Sequence, residues 1–265
     1  MMSKIILVTG ASGGLGAATA QALAEAGHIA YAGMDTAPGR LPVAAGPDGN
    51  AGRPGARPRP IALDVADQRS VSAAVTGITT EAGRIDCVVH TMGPVPRGPV
   101  ESFTPYQLAQ IYDANVLSTQ RVNRAVLPQM RERRDGLLVW VVSHPDPSDE
   151  APLLALHSES VAVIDHLAAS YAKELAGFGV EAAVVVAGLV APEAGGRRPQ
   201  LVLPDDLGTA QAYEGRYPGL VDRVDVHLAG QAVTAACLAR TARAVAAVVD
   251  SPKGARPPRV TAGDR

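Results

Sequence analysis

Short apolar runs alternate with longer amphipathic stretches along the whole chain. "KIILVTG" (4–10) is the first run. Ile and Val dominate it and Gly10 stops it, the pattern of a parallel strand buried on both faces. "LGAATAQALAEAG" (15–27) predicts an Ala-rich helix that ends at Gly27. "HIAYAGMD", "IALDV", "IDCVVHTMG", "GLLVWVVS" and "VEAAVVVAG" predict five further strands. Between them, "DQRSVSAAVTGITTEAG" predicts a helix with an Asp cap. Residues 104–133 predict one long helix, with Thr104 as cap, Pro105 in the first turn and a bend or end at Pro128. Residues 158–179 predict another. One or two helices precede "RAVAAVVD" (243–250), and a last strand is placed near "RPPRVTA" (256–262). Regular alternation of strand and helix predicts an α/β fold, a doubly wound parallel sheet with helices on both faces, as a single domain over 1–265. Residues 38–60 are too rich in Pro and Gly for a long helix and read as an exposed loop.

Composition narrows the function. The 265 residues carry 24 Lys and Arg against 26 Asp and Glu, a net charge of -2, so a nucleic-acid surface is not expected. The one dense basic run, "RERRD" (131–135), reads as a solvated helix end. Aromatic residues at 3% are too few for a base-stacking platform. Cys87 and Cys237 have neither metal-ligand nor redox spacing, which suits reduced thiols in a cytoplasmic protein. No apolar run is long enough to span a membrane, and the one near the N-terminus is too short for a secretion signal. No metal-binding spacing is found.

The candidate chemistry begins at "TGASGGLG" (9–16). Gly10, Gly14 and Gly16 can form a tight turn, admit a pyrophosphate close to the backbone and let the helix pack on the strand. The N–H groups of Ser12, Leu15 and their neighbours would face the phosphates at the helix N-terminus. The other reading is a glycine-rich turn that binds nothing. Asp35, closing the second strand, can accept from ribose hydroxyls and would repel a 2′-phosphate, which favours NAD over NADP; otherwise it is an ordinary loop carboxylate.

From Thr9 almost to the C-terminus the chain resembles the short-chain dehydrogenase/reductase family, whose domain is Rossmann-type. "TGASGGLG" matches that family's TGxxxGxG motif, and Asp64 and Val65 in "LDV" match its adenine-contacting pair. Asn115 in "NVLST" stands where the family keeps a catalytic asparagine. Ser143 stands where it keeps the serine that holds the substrate carbonyl. The NNAG turn appears as "HTMG", keeping Gly93 but bringing Thr91 and Met92. The YxxxK pair becomes His157 and Val161, PG becomes Ala187-Gly188, and the threonine expected soon after is missing from "LVAPEAGG". The resemblance also implies a small-molecule substrate, a variable lobe at 189–232 in which Tyr213 and Tyr217 are cleft candidates, and a homodimer or homotetramer built on the helices at 104–134 and 158–177.

His157 for Tyr and Val161 for Lys form a chemically coherent exchange. A phenol near pKa 10 needs a lysine to become a useful acid, whereas a histidine, ordinarily near 6.5, does not. Lys4, Lys173 and Lys253 are the chain's lysines; Lys173 lies twelve residues past Val161, roughly 18 Å along a helix. One helical turn apart, His157 and Val161 are expected to face the same cleft. The acidic loop "PDPSDE" with His144 reads as solvated. Three functions stay open. The first is a non-redox cyclase, dehydratase or isomerase of a carbonyl-rich small molecule, of the kind found in natural-product pathways. The second is an NAD(P)-dependent oxidoreductase with an altered proton relay. The third is a nucleotide-binding protein without catalysis, in which His157 has drifted. A cofactor-independent enzyme is compatible with the first.

Overall fold

A computed structural model describes residues 3–35, 57–91, 93–143, 153–187, 201–230 and 235–262. Strands β1 (Ile5–Val8), β2 (Ile29–Met34), β3 (Arg59–Ala62), β4 (Cys87–Thr91), β6 (Gly136–Ser143), β7 (Val180–Ala187) and β9 (Arg259–Thr261) form a seven-stranded sheet in the order β3-β2-β1-β4-β6-β7-β9. Every neighbouring pair is parallel. Helices α1 (Gly14–Glu25) and α8 (Ala235–Asp250) cover one face. Helices α2 (Gln68–Ala82), α4 (Ser118–Arg133) and α5 (Ala155–Leu175) cover the other.

The period-two geometry of a strand produces the two cores. Leu7, Val88, Leu138, Trp140 and Val142 point to the α2, α4 and α5 side. Ile6, Val8, Val89, Val139 and Val141 point to the α1 and α8 side. All eight residues of β6 are buried, which is why it reads as a continuous apolar run.

Local signals place the helix ends. Asp67 Oδ1 accepts from Arg69 N at 2.9 Å at the start of α2, and Gly83, at φ 82°, closes it. Helix α3 (Pro105–Tyr112) opens on a capping box in which Thr104 and Gln107 satisfy one another's backbone N–H groups. The long helix expected over 104–133 is interrupted elsewhere than at Pro128. A π-helical turn, Asp113–Leu117, separates α3 from α4, and Pro128 lies inside α4 without ending it. Burial of Val122, Val126, Leu127 and Met130 against the sheet carries the helix past the missing N–H.

Other boundaries move as well. The third strand pairs over Arg59–Ala62, earlier than "IALDV" suggests, and α5 starts at Ala155, three residues ahead of its expected start. A small parallel pair, β5 (Val95–Pro96) with β8 (Leu201–Val202), had no sequence signal. Beyond it, α6 (Leu207–Arg216) and α7 (Leu220–Gly230) are the two helices that precede residues 243–250, which lie in α8.

Candidate functional site

The chain runs outward from β1 to β2 and β3, then returns to place β4 on the other side of β1. This reversal leaves a crevice at the carboxyl ends of β1 and β4, the usual ligand position in an open α/β sheet. The glycine turn lies there. Gly10 has φ 64° and Gly14 φ 55°, conformations that suit glycine. A Cβ on Gly10 would overlap the hydroxyl of Thr91, and one on Gly16 would overlap the main-chain oxygen of Gly10. No side chain caps α1, whose N-cap is Gly13, so the helix offers its terminal N–H groups to the crevice. Leu15, beside them, packs against the α1–α8 core.

Asp35 joins this turn, while Asp64 and Val65 lie just after β3. Ser12 Oγ donates to Asp35 Oδ1 at 2.6 Å, and the Asp35 N–H donates back to Ser12 Oγ at 3.3 Å, so the carboxylate is held over the turn. Asp64 Oδ1 accepts from Ala66 N at 2.9 Å and its own N–H donates to Ser70 Oγ. Val65 is half-buried against the core, with its carbonyl near Arg121. Small residues where backbone must be approached, an uncapped helix end and a fixed carboxylate suit the adenosine and pyrophosphate of a dinucleotide.

The second half differs. Thr91 Oγ1 donates to the Thr9 carbonyl at 2.8 Å, so its hydroxyl ties β4 to β1. Asn115 is buried in the π-turn, where Oδ1 accepts from Gly93 N at 3.1 Å and Nδ2 donates to the Pro94 carbonyl at 3.1 Å. It holds the loop after β4. Val161 is 0% exposed and belongs to the core with Trp140, Val142 and Ile164. The expectation that His157 and Val161 share a cleft-facing side is therefore corrected. Both are fully buried, because the first turns of α5 pack against the sheet.

His157 meets Ser143 across the gap between α5 and the end of β6. Its Nε2 lies 2.9 Å from the Ser143 main-chain oxygen and 3.2 Å from Ser143 Oγ. A carbonyl can only accept, so Nε2 carries a proton in this contact. Ser143 Oγ can then accept from that N–H and keep its own proton for another acceptor. Ser143 is 8% exposed, whereas His157 is 0% exposed. A second buried histidine, His90, binds Asn123 Oδ1 through Nε2 at 2.8 Å and stacks on Trp140, which stacks on Tyr171. Burial pushes the His90 imidazole down to about 4. Burial likewise pushes the Cys87 thiol up to about 12.

A cavity of about 690 Å³ lies beside the first turn of α5, lined among others by Val100, Glu101, Leu153, Tyr213, Tyr217 and Leu220. Tyr213 and Tyr217 were legible as cleft candidates; Glu101 and Leu153 were not. Tyr213 OH donates to Glu101 Oε2 at 3.0 Å, and Leu153 holds φ 72° while its carbonyl accepts from Gly98 N. A glutamate just ahead of a helix cap has no pattern that separates it from a solvated residue. Met92, His144, Asp146, Asp149, Glu150 and the segment after Ala187 lie outside the described residues. Among the described residues no cluster of three metal-ligating side chains exists, and no helix is long and apolar enough to cross a membrane.

Sheet order and glycine turn together define a Rossmann-type dinucleotide fold. Residues 4–200 match the short chain dehydrogenase family, and the chain belongs to it. It is 34% identical over 143 residues to a 3-ketodihydrosphingosine reductase of Bacteroides thetaiotaomicron, covering 54% of this chain and 48% of that protein. It is 33% identical over 194 residues to a D-threitol dehydrogenase of Mycolicibacterium smegmatis, covering 73% and 65%. The chain thus spans about half the length of the first relative and under two thirds of the second. Among solved structures, a short-chain dehydrogenase from Streptomyces avermitilis superposes with a TM-score of 0.78 at 27% identity, over 99% of this chain and 89% of that one.

Proposed function

We propose that this protein is a non-redox acid/base enzyme of small carbonyl compounds, a cyclase, dehydratase or isomerase, in which His157, at the place of the family's tyrosine, moves the proton and Ser143 holds the substrate oxygen. The observation that carries the reading is the Nε2 contact of His157 with Ser143. The Ser143 hydroxyl, at the end of β6, donates to the substrate oxygen. As negative charge develops there, the imidazolium form of His157, with its Nε2–H on Ser143 Oγ, supplies the compensating proton and is left as the neutral ring. His157 acts through Ser143 and need not touch the substrate, which fits its burial. Asn115 fixes the neighbouring loop through Gly93 and Pro94.

The crevice residues fit a nicotinamide dinucleotide at its adenosine and pyrophosphate end: Gly10, Ser12, Gly14, Leu15, Gly16, Asp35, Asp64 and Val65, with Asp35 favouring NAD. When bound, such a group supplies a hydride. The second reading, an NAD(P)-dependent oxidoreductase with the Ser143–His157 couple as proton relay, is favoured by this intact cradle and by the reductases and dehydrogenases among the relatives. Against it stands Val161, an apolar core residue where the ribose-binding ammonium belongs.

NADH and NADPH titration followed by a ketone and quinone panel decides between them. The non-redox reading expects nucleotide oxidation well below about 1 s⁻¹ on every compound. Ordinary saturable turnover at or above that rate establishes the oxidoreductase instead.

A further inference from the structure

We propose that the cavity beside α5 binds the ammonium group of an otherwise apolar amine, with Glu101 as its counter-charge. The wall is largely apolar: Val100, Leu153 and Leu220 join the rings of Tyr213 and Tyr217. Among the described residues its polar side-chain atoms are those of Glu101 and the two phenols. Tyr213 gives its proton to Glu101 Oε2, so at this pair the phenol oxygen and both carboxylate oxygens only accept. Among the described residues Glu101 has no ion-pair partner. Arg97 pairs with Asp225, and Arg216 lies over the ring of Tyr217, 5.5 Å from its centroid.

An acceptor-only pair with an unbalanced negative charge selects a ligand that donates and carries positive charge. A charge-assisted bond is stronger than a neutral one, and this pair stands at the solvent-exposed side of the cavity. The ring of Tyr213 adds to the attraction for a cation. The carboxylate also holds the Tyr213 phenol above its ordinary range, keeping the proton where it bridges the two groups. Val100 and Tyr217, 52% and 50% exposed, form an apolar rim through which the body of the amine enters.

This inference deepens the reading above by naming a substrate class, since Leu153 and Ala155 bring the cavity to within two residues of His157. It is tested by binding alone, so failure of the proton chemistry leaves it standing and its own failure leaves that chemistry untouched. The probes are 4-phenylbutylamine, 4-phenylbutanol and 4-phenylbutyrate, titrated calorimetrically at pH 7.5 into the full chain. The amine is expected to bind about tenfold more tightly than the alcohol, a difference of about 1.4 kcal/mol, and the carboxylate not at all. Glu101→Gln, at an exposed position, should bring the amine to the affinity of the alcohol. Val100→Trp, which fills the mouth, should abolish amine binding while the melting temperature stays unchanged. Equal affinity for amine and alcohol, an amine preference that survives Glu101→Gln, amine binding that survives Val100→Trp, or no amine binding at millimolar concentration overturns the proposal.

Discussion

The Nε2 atom of His157 sits 2.9 Å from the main-chain oxygen of Ser143 and 3.2 Å from its hydroxyl, so one N–H serves both acceptors. This bond has a structural and a chemical consequence that different substitutions separate. His157→Gln keeps a side-chain N–H and should hold most of the stability. His157→Leu removes the donor from buried oxygens and should cost about 1–3 kcal/mol in urea denaturation. Both should lower turnover by about 10²- to 10⁴-fold on any substrate the enzyme converts. Equal stability of the Leu and Gln variants would show that the bond carries no structural weight.

Val161→Lys tests whether the site can simply be restored. The side chain is 0% exposed among Trp140, Val142 and Ile164. An ammonium placed there should cost on the order of 3 kcal/mol at pH 7. A buried lysine titrates below its unfolded value, so the penalty should shrink as pH rises toward about 10.4. A variant as stable as the parent at pH 7 would mean that α5 opens easily toward the crevice.

The glycine turn makes a contrast within one class of substitution. Gly16→Ala drives a methyl into the main-chain oxygen of Gly10, and neither group can swing aside. NADH affinity should fall at least about tenfold, the equivalent of about 1.4 kcal/mol. Gly27→Ala meets nothing within 4 Å but must hold φ 92°. It should cost roughly 1 kcal/mol of stability and leave NADH affinity unchanged. Fluorescence titration beside thermal melts reads both.

His90 sets a pH term. Its folded value near 4 lies below the ordinary 6.5, so the unfolded chain takes up the proton first as pH falls. The contribution is fully present above about pH 6.5 and is lost as pH falls toward 4. Its size is roughly 3 kcal/mol. His90→Gln should flatten the stability profile over that window. An unchanged slope would place the acid sensitivity elsewhere.

Most of the architecture was legible because buried parallel strands have a distinctive composition. β6 is apolar as far as Ser143 and β7 apolar but for Glu181, and Asp67, Thr104 and Gly83 mark helix ends by local chemistry alone. The π-turn was not legible. Asp113–Leu117 fits a helical pattern, and its extra residue is held by the fit of Asn115 to Gly93 and Pro94, a tertiary contact. The burial of His157 was hidden for a similar reason. "HSES" looks polar, but Ser160 returns its hydroxyl to the Leu156 carbonyl, and His157 finds Ser143 from the neighbouring strand. Sequence marks which residues stand at the site; which way they turn depends on partners far along the chain.

The contact between Gly10 and Thr91 constrains how this sequence can change. The threonine hydroxyl fills the space that a side chain at position 10 would need, and it holds β1 to β4 while doing so. The two positions are therefore epistatic. While Thr91 stands, a side chain at 10 meets both an occupied space and a left-handed backbone. Trimming Thr91 to Ala first removes one obstacle, breaks the bridge to Thr9 and leaves the other. Any mutational path away from glycine crosses at least one weakened intermediate, so the turn is expected to persist in descendants of this chain whether or not a nucleotide still occupies it.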